Sequence, residues 1–118
     1  MIHRIEDWKW FGMPAHFIGA YECTFRMSTR VGPWIVSTVG EYSPVSTGKI
    51  ESLDAMGSTY ETMVFECAIG SECTEVGCYC LIPDIDMPEV DVDKYKTRGE
   101  AQIGHMKMCY KWADERSR

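Results

Sequence analysis

Apolar and polar positions follow two different periods along this chain. Residues 16 to 42, "HFIGAYECTFRMSTRVGPWIVSTVGEY", alternate with a period of two, placing Cys23, Phe25 and Met27 on one side of an extended chain and Thr24, Arg26 and Ser28 on the other. A second run, "WIVSTVGEY", is rich in β-branched and aromatic residues, and "RVGP" between the runs supplies the glycine and proline of a turn. The pattern predicts a β-hairpin. A further strand is expected over residues 59 to 68, in "TYETMVFECA", where Glu61, Met63, Phe65 and Cys67 alternate with Tyr60, Thr62, Val64 and Glu66. Residues 43 to 58 hold proline, glycine, serine and aspartate with no sustained period, which predicts a surface excursion.

Near the C-terminus the period changes. Ala101, His105, Met108, Cys109 and Trp112 recur at threes and fours, the stripe of an amphipathic helix over residues 97 to 115. Gly99 and Gly104 work against it by about 1 kcal/mol each relative to alanine. The N-terminal "IEDWKWFG" fits neither period. These elements predict a single α+β domain over residues 1 to 118: an antiparallel sheet, made from the hairpin of 16 to 42 and the strand of 59 to 68, packed against the C-terminal helix.

Composition narrows the function classes. The chain has 118 residues, 45% of them hydrophobic and 25% charged, which is ordinary globular usage and enough for one core. Its formal charge of −6 argues against non-specific nucleic-acid binding, which needs lysine and arginine to displace counterions from phosphates. No segment approaches the ~18 apolar residues of a membrane-spanning helix, and "MIHRIEDWKWFG" lacks the apolar run of a signal peptide. The expected compartment is therefore a cytoplasm, where thiols are kept reduced.

That compartment bears on the segment "ECTEVGCYCLIPDIDMPEVDVD", residues 72 to 93. Cys73, Cys78 and Cys80 bring three thiols together on one loop, and His105 and Cys109, four apart on one helix face, offer further ligands. Four of these five would close a tetrahedral zinc site tying the loop to the helix. Against it stands the reading of reduced thiols packed as small apolar side chains, with disulfides a third alternative. Cys23 and Cys67 alternate with phenylalanine and methionine and read as core. A nucleophilic loop thiol is disfavoured, because Glu72, Glu75 and the acids that follow raise a thiol pKa. Those acids, Asp84, Asp86, Glu89, Asp91 and Asp93, are expected on a solvated, extended connector, the sharper alternative being a negative stripe that meets a basic partner or imitates a phosphate backbone. They lack the glycine and register of a calcium loop.

Two further sets could carry chemistry. His16, Glu41 and Glu61 would suit acid–base catalysis if the two glutamates, at corresponding ends of neighbouring strands, faced a shared cleft. Arg26, Arg30 and Trp34, with Trp8, Trp10, Phe11 and Tyr42, could stack a planar ligand such as a nucleotide.

The strings "WFGMPAHFI", "CTFRMSTRVGPWIVSTVGEY", "YETMVF", "CTEVGCYC" and "GHMKMCYKWA", in this order over residues 8 to 113, resemble a family of small uncharacterised proteins encoded mainly in bacteriophage and prophage genomes. This chain has Gly19 where the family pattern places a cysteine, and a shorter segment between "GEY" and "YETMVF". His16, Cys23, Glu41, Glu61, Cys73, Cys78, Cys80, His105 and Cys109 match positions of that pattern. The resemblance brings no activity to them. It implies a phage-borne gene expressed in the host bacterial cytoplasm. By analogy with small dispensable phage genes, it also implies a non-enzymatic accessory protein that binds a host or defence protein, or sequesters a small nucleotide signal. The alternative is a small enzyme using the His/Glu set, with or without a metal.

Overall fold

The alternating first half of the chain forms a hairpin, and that hairpin lies at the heart of a five-stranded antiparallel sheet. The structure, a computed structural model, describes residues 4–11, 22–44, 46, 48–53, 57–66 and 89–114. Its strands are β1 (Lys9–Phe11), β2 (Cys23–Val31), β3 (Trp34–Tyr42), β4 (Tyr60–Glu66) and β5 (Asp91–Tyr95), paired in sequence order, and the helix is α1 (Arg98–Ala113). The expected α+β architecture is the one observed. Gly32, with a φ of 59°, takes the left-handed position that the tight turn between β2 and β3 requires.

Two strands lie outside the expectation. The N-terminal stretch makes a 3-10 turn at Ile5–Asp7 and then β1, too short for a period to register. The end of the acid-rich segment, expected as a solvated connector, becomes β5 and pairs along β4 from Tyr60↔Tyr95 to Val64↔Asp91. Three of its five residues are charged, which suits an edge strand that must not recruit another chain. Glu89 and Asp93 are exposed, Asp91 is half-buried, and Asp84 and Asp86 lie outside the described residues.

α1 lies across one face of the sheet. Trp8, Val31, Trp34, Val36 and Val64 meet Met108, Cys109, Trp112 and Ala113 in the main core, and Phe25, Tyr60 and Tyr95 close around Ala101 beside it. The helix begins at a capping box: Glu100 N–H donates to the Thr97 hydroxyl, and Thr97 N–H donates to the Glu100 carboxylate, both at 3.1 Å. At its other end, Asp91 of β5 accepts from Lys111 Nζ at 2.6 Å and from Trp112 Nε1 at 2.9 Å. Burial raises the Asp91 pKa, but these two bonds and the one from Val92 N–H together outweigh it and hold the carboxyl below its usual range.

β3, the central strand, is buried on both faces from Trp34 to Gly40. On the face away from α1, Cys23 and Val39 pack with Tyr42 and Leu53, so the excursion after β3 returns to cover that end of the sheet. Cys23 is core, as its pattern implied, but it does not share a face with Phe25. The alternation breaks opposite Thr24, at Glu41, which has a φ of 55°. Among the described residues no helix is long and apolar enough to cross a membrane.

Candidate functional site

Three clusters emerge when each chemically competent side chain is traced to its partners. The first is His105. The 3.6-residue period puts it on the buried stripe of α1, where it is fully enclosed against β2 and β3. Nδ1 lies 2.6 Å from the Thr38 hydroxyl and Nε2 2.8 Å from the Thr29 hydroxyl, and Thr38 in turn lies 2.6 Å from Thr62. A neutral imidazole has one donor and one acceptor nitrogen, and rotatable hydroxyls satisfy either tautomer. Burial alone pushes the His105 pKa down to about 4, so the ring is neutral at pH 7.

One turn on, Cys109 is also fully buried, within hydrogen-bonding reach of Thr29, and burial pushes its thiol up to about 12. A thiol this protonated is no nucleophile. The two helix members of the expected zinc set thus face the sheet and are engaged there. Cys73, Cys78 and Cys80 lie outside the described residues. Among the described residues no group of three or more His, Cys, Asp or Glu is placed to hold a metal ion.

The second cluster is built on Glu41. Its left-handed backbone costs a non-glycine residue about 1–2 kcal/mol. In return, its carboxylate reaches over the end of the sheet. Arg98 donates from Nε to Oε2 at 2.8 Å and from its terminal nitrogen to Oε1 at 2.6 Å; Tyr60 donates to Oε2 at 2.7 Å and Thr24 to Oε1 at 2.9 Å. The Arg98 bonds, above all, hold the Glu41 carboxyl below its usual pKa, and burial with the Glu41 bond raises that of Tyr60. The guanidinium also sits 5.4 Å from the Phe25 ring centroid. This four-part clamp fixes the first turn of α1 to β2, β3 and β4. Removing one donor to a carboxylate, Tyr60→Phe, is expected to cost about 1–2 kcal/mol, read as a lower urea midpoint with an unchanged slope.

Glu61 is not part of that cluster. It stands opposite Val39 and Lys94 on the other face of the sheet, with its carboxylate 3.9 Å from Lys94 Nζ. The two glutamates of the expected catalytic set are therefore not brought together, and His16 lies outside the described residues.

The expected planar-ligand set is likewise divided. Trp34 is buried under α1, its ring 4.9 Å from that of Trp112. Arg30 is buried on the opposite face, donating from Nε to the Gly32 carbonyl at 2.6 Å, and Arg26 is exposed on that face.

The third cluster joins two rings of that set, Trp8 and Trp10, to helix residues outside it. Trp8 is buried at the edge of the main core, with the rings of Trp10 and Tyr110 at 6.2 Å and 5.1 Å from its own. Trp10 is 49% exposed, Tyr110 56%, and Ile103, two turns before Tyr110 on α1, 61%. The signal was present as apolar residues at 103, 106 and 110, off the core stripe but at helical spacing from one another. No family model, curated protein or solved structure matches the chain.

Proposed function

We propose that the protein is a non-enzymatic accessory protein of phage or prophage origin that acts in a bacterial cytoplasm by binding a protein of the host or of its defences. The observation that carries this reading is the exposed apolar surface of Trp10, Tyr110 and Ile103 on a domain of this size. The commitments of the interior groups support it. His105 is neutral and doubly hydrogen-bonded, Cys109 is protonated, and Glu41 is held by Arg98, Tyr60 and Thr24, so each of these groups serves the fold. A protein partner is better supported than a nucleotide, since Trp34 of the expected stacking set is in the core and Trp10, its exposed ring, lies on the face of the sheet away from Arg26 and Arg30.

The test is co-purification from bacteria expressing the tagged protein. A stoichiometric host protein should accompany the wild type and be lost from Trp10→Ala/Tyr110→Ala, while the melting temperature of the variant stays within a few degrees. Absence of any stoichiometric partner, in hosts with and without defence systems, would overturn the reading.

A further inference from the structure

Strands β2 and β3 exchange their faces at one point. From the turn between them as far as Phe25 and Gly40, the period of two puts odd residues of β2 and even residues of β3 on the α1 side, where Thr29 and Thr38 reach His105. Continued regularly, it would put Cys23 and Tyr42 there as well. Instead both lie on the far face, packed with Val39 and Leu53. Thr24 and Glu41, due on the far face, meet on the α1 side, hydroxyl to carboxylate at 2.9 Å. No residue is inserted, because Phe25↔Gly40 and Cys23↔Tyr42 keep one register. The exchange is made by rotation of the backbone, and Glu41, with its φ of 55°, is the single non-glycine residue of positive φ among the described residues.

Two sets of contacts hold that rotation, one on each side of the sheet. On the α1 side Arg98, Tyr60 and Thr24 grip the Glu41 carboxylate. On the far side Tyr42 packs with Leu53, Glu51 N–H donates to the Tyr42 carbonyl at 2.7 Å, and Leu53 N–H donates to the Ser58 carbonyl at 2.7 Å. An extended φ at residue 41 would carry the carboxylate away from Arg98 and swing Tyr42 off Leu53 in the same movement. Loss of either set therefore weakens the other.

We infer that Glu41 is a conformational latch whose left-handed backbone couples the docking of the first turn of α1, on one face of the sheet, to the closure of residues 51–53 over the other. Residue 41 is the two-state element that both sites bias. Solvent reaches one side of the latch more than the other. The Arg98 side chain is 58% exposed, so ionic strength weakens the clamp, whereas the packing of Tyr42 with Leu53 is apolar and has no charge to screen. Closure of the far face should nevertheless loosen as salt rises, which an apolar contact acting alone would not do.

Native-state hydrogen exchange, followed amide by amide on the full-length protein, tests the coupling. Arg98→Ala should speed exchange at Glu51 and Leu53 about tenfold, while Val36 and Thr38 in the middle of β3 keep their rates to within about twofold. Residue 41 should at the same time lose the short amide-to-Hα distance of a left-handed residue in nuclear Overhauser spectra. In the opposite direction, Leu53→Ala should speed exchange of the Arg98 Nε–H, which donates to Glu41 Oε2. Glycine takes the left-handed backbone without steric cost, so Glu41→Gly should leave Glu51 and Leu53 protected, whereas Glu41→Ala should expose them as Arg98→Ala does. Raised sodium chloride should speed these two amides in the wild type and not in Arg98→Ala. Unchanged protection of Glu51 and Leu53 in Arg98→Ala overturns the inference. So does a rise shared equally by Val36 and Thr38, which is a global loss of stability, or an exposure by Glu41→Gly as large as that by Glu41→Ala.

Discussion

Lowering the pH from 7 to 4 is expected to destabilise the fold by about 3 kcal/mol through His105 alone. The folded-state pKa of about 4 lies below the ordinary value of 6.5, so the unfolded chain takes up a proton that the folded protein refuses. The contribution is complete above pH 6.5 and is lost progressively as the pH falls towards 4. Only desolvation drives the shift. The side chains bonded to the ring from β2 and β3 are Thr29 and Thr38, both neutral, and its near neighbour on α1, Cys109, stays protonated throughout. Glu41 and Asp91, whose pKa values are depressed, act in a lower window: their contributions are present above about 4.5 and 3.8 and fade below those values. Between pH 7 and 5 the loss among these three groups therefore belongs to His105. Urea midpoints across that range should fall steadily for the wild type, and for His105→Gln they should be lower at pH 7 but nearly flat. The imidazole resonance in a nuclear magnetic resonance titration should not move until the protein nears pH 4. A His105 resonance titrating near 6.5 in folded protein would refute the buried, neutral assignment.

The same residue shows how far the sequence reaches. The period of α1 placed His105 and Cys109 on one face correctly, and nothing local could say whether that face met loop thiols or the sheet. The answer lay in Thr29, Thr38 and Thr62, which interrupt a face otherwise occupied by Phe25, Val31, Trp34, Val36, Tyr60 and Val64. Threonines opposite a helix histidine are a legible signal only once the strand register is known. Glu41 and Glu61 make the complementary point. In regular strands paired with Val39 opposite Glu61, Glu41 would share the face of Glu61, as expected. The left-handed φ at Glu41 turns its side chain to the helix side, where Arg98, 57 residues away, donates to its carboxylate. The hairpin, β4 and α1 were legible because each buries a face over many residues. β1 was not because it is short, nor β5 because an edge strand uses charge to stay unpaired.

Glycines in α1 separate packing from propensity, and Gly104→Ala is expected to destabilise by about 2 kcal/mol where propensity alone predicts a gain of about 1. An added Cβ at Gly104 would overlap Cε1, Cζ and the hydroxyl of Tyr95, a ring held in place by Phe25, Tyr60 and Ala101. Neither element can yield easily: Tyr95 ends β5 in register with Tyr60, and α1 is fixed at one end by the Glu41 clamp and at the other by Asp91. Gly99, one turn earlier, has open space where its Cβ would be, so Gly99→Ala should instead stabilise by about 0.5–1 kcal/mol. Differential scanning calorimetry of the two variants, with shifts of roughly 4 °C per kcal/mol, should give opposite signs. Two increases would mean that Tyr95 does not lie against the helix backbone. With it would go the docking of β5 onto α1 that sets the orientation of the exposed flank carrying Ile103, Lys107 and Tyr110.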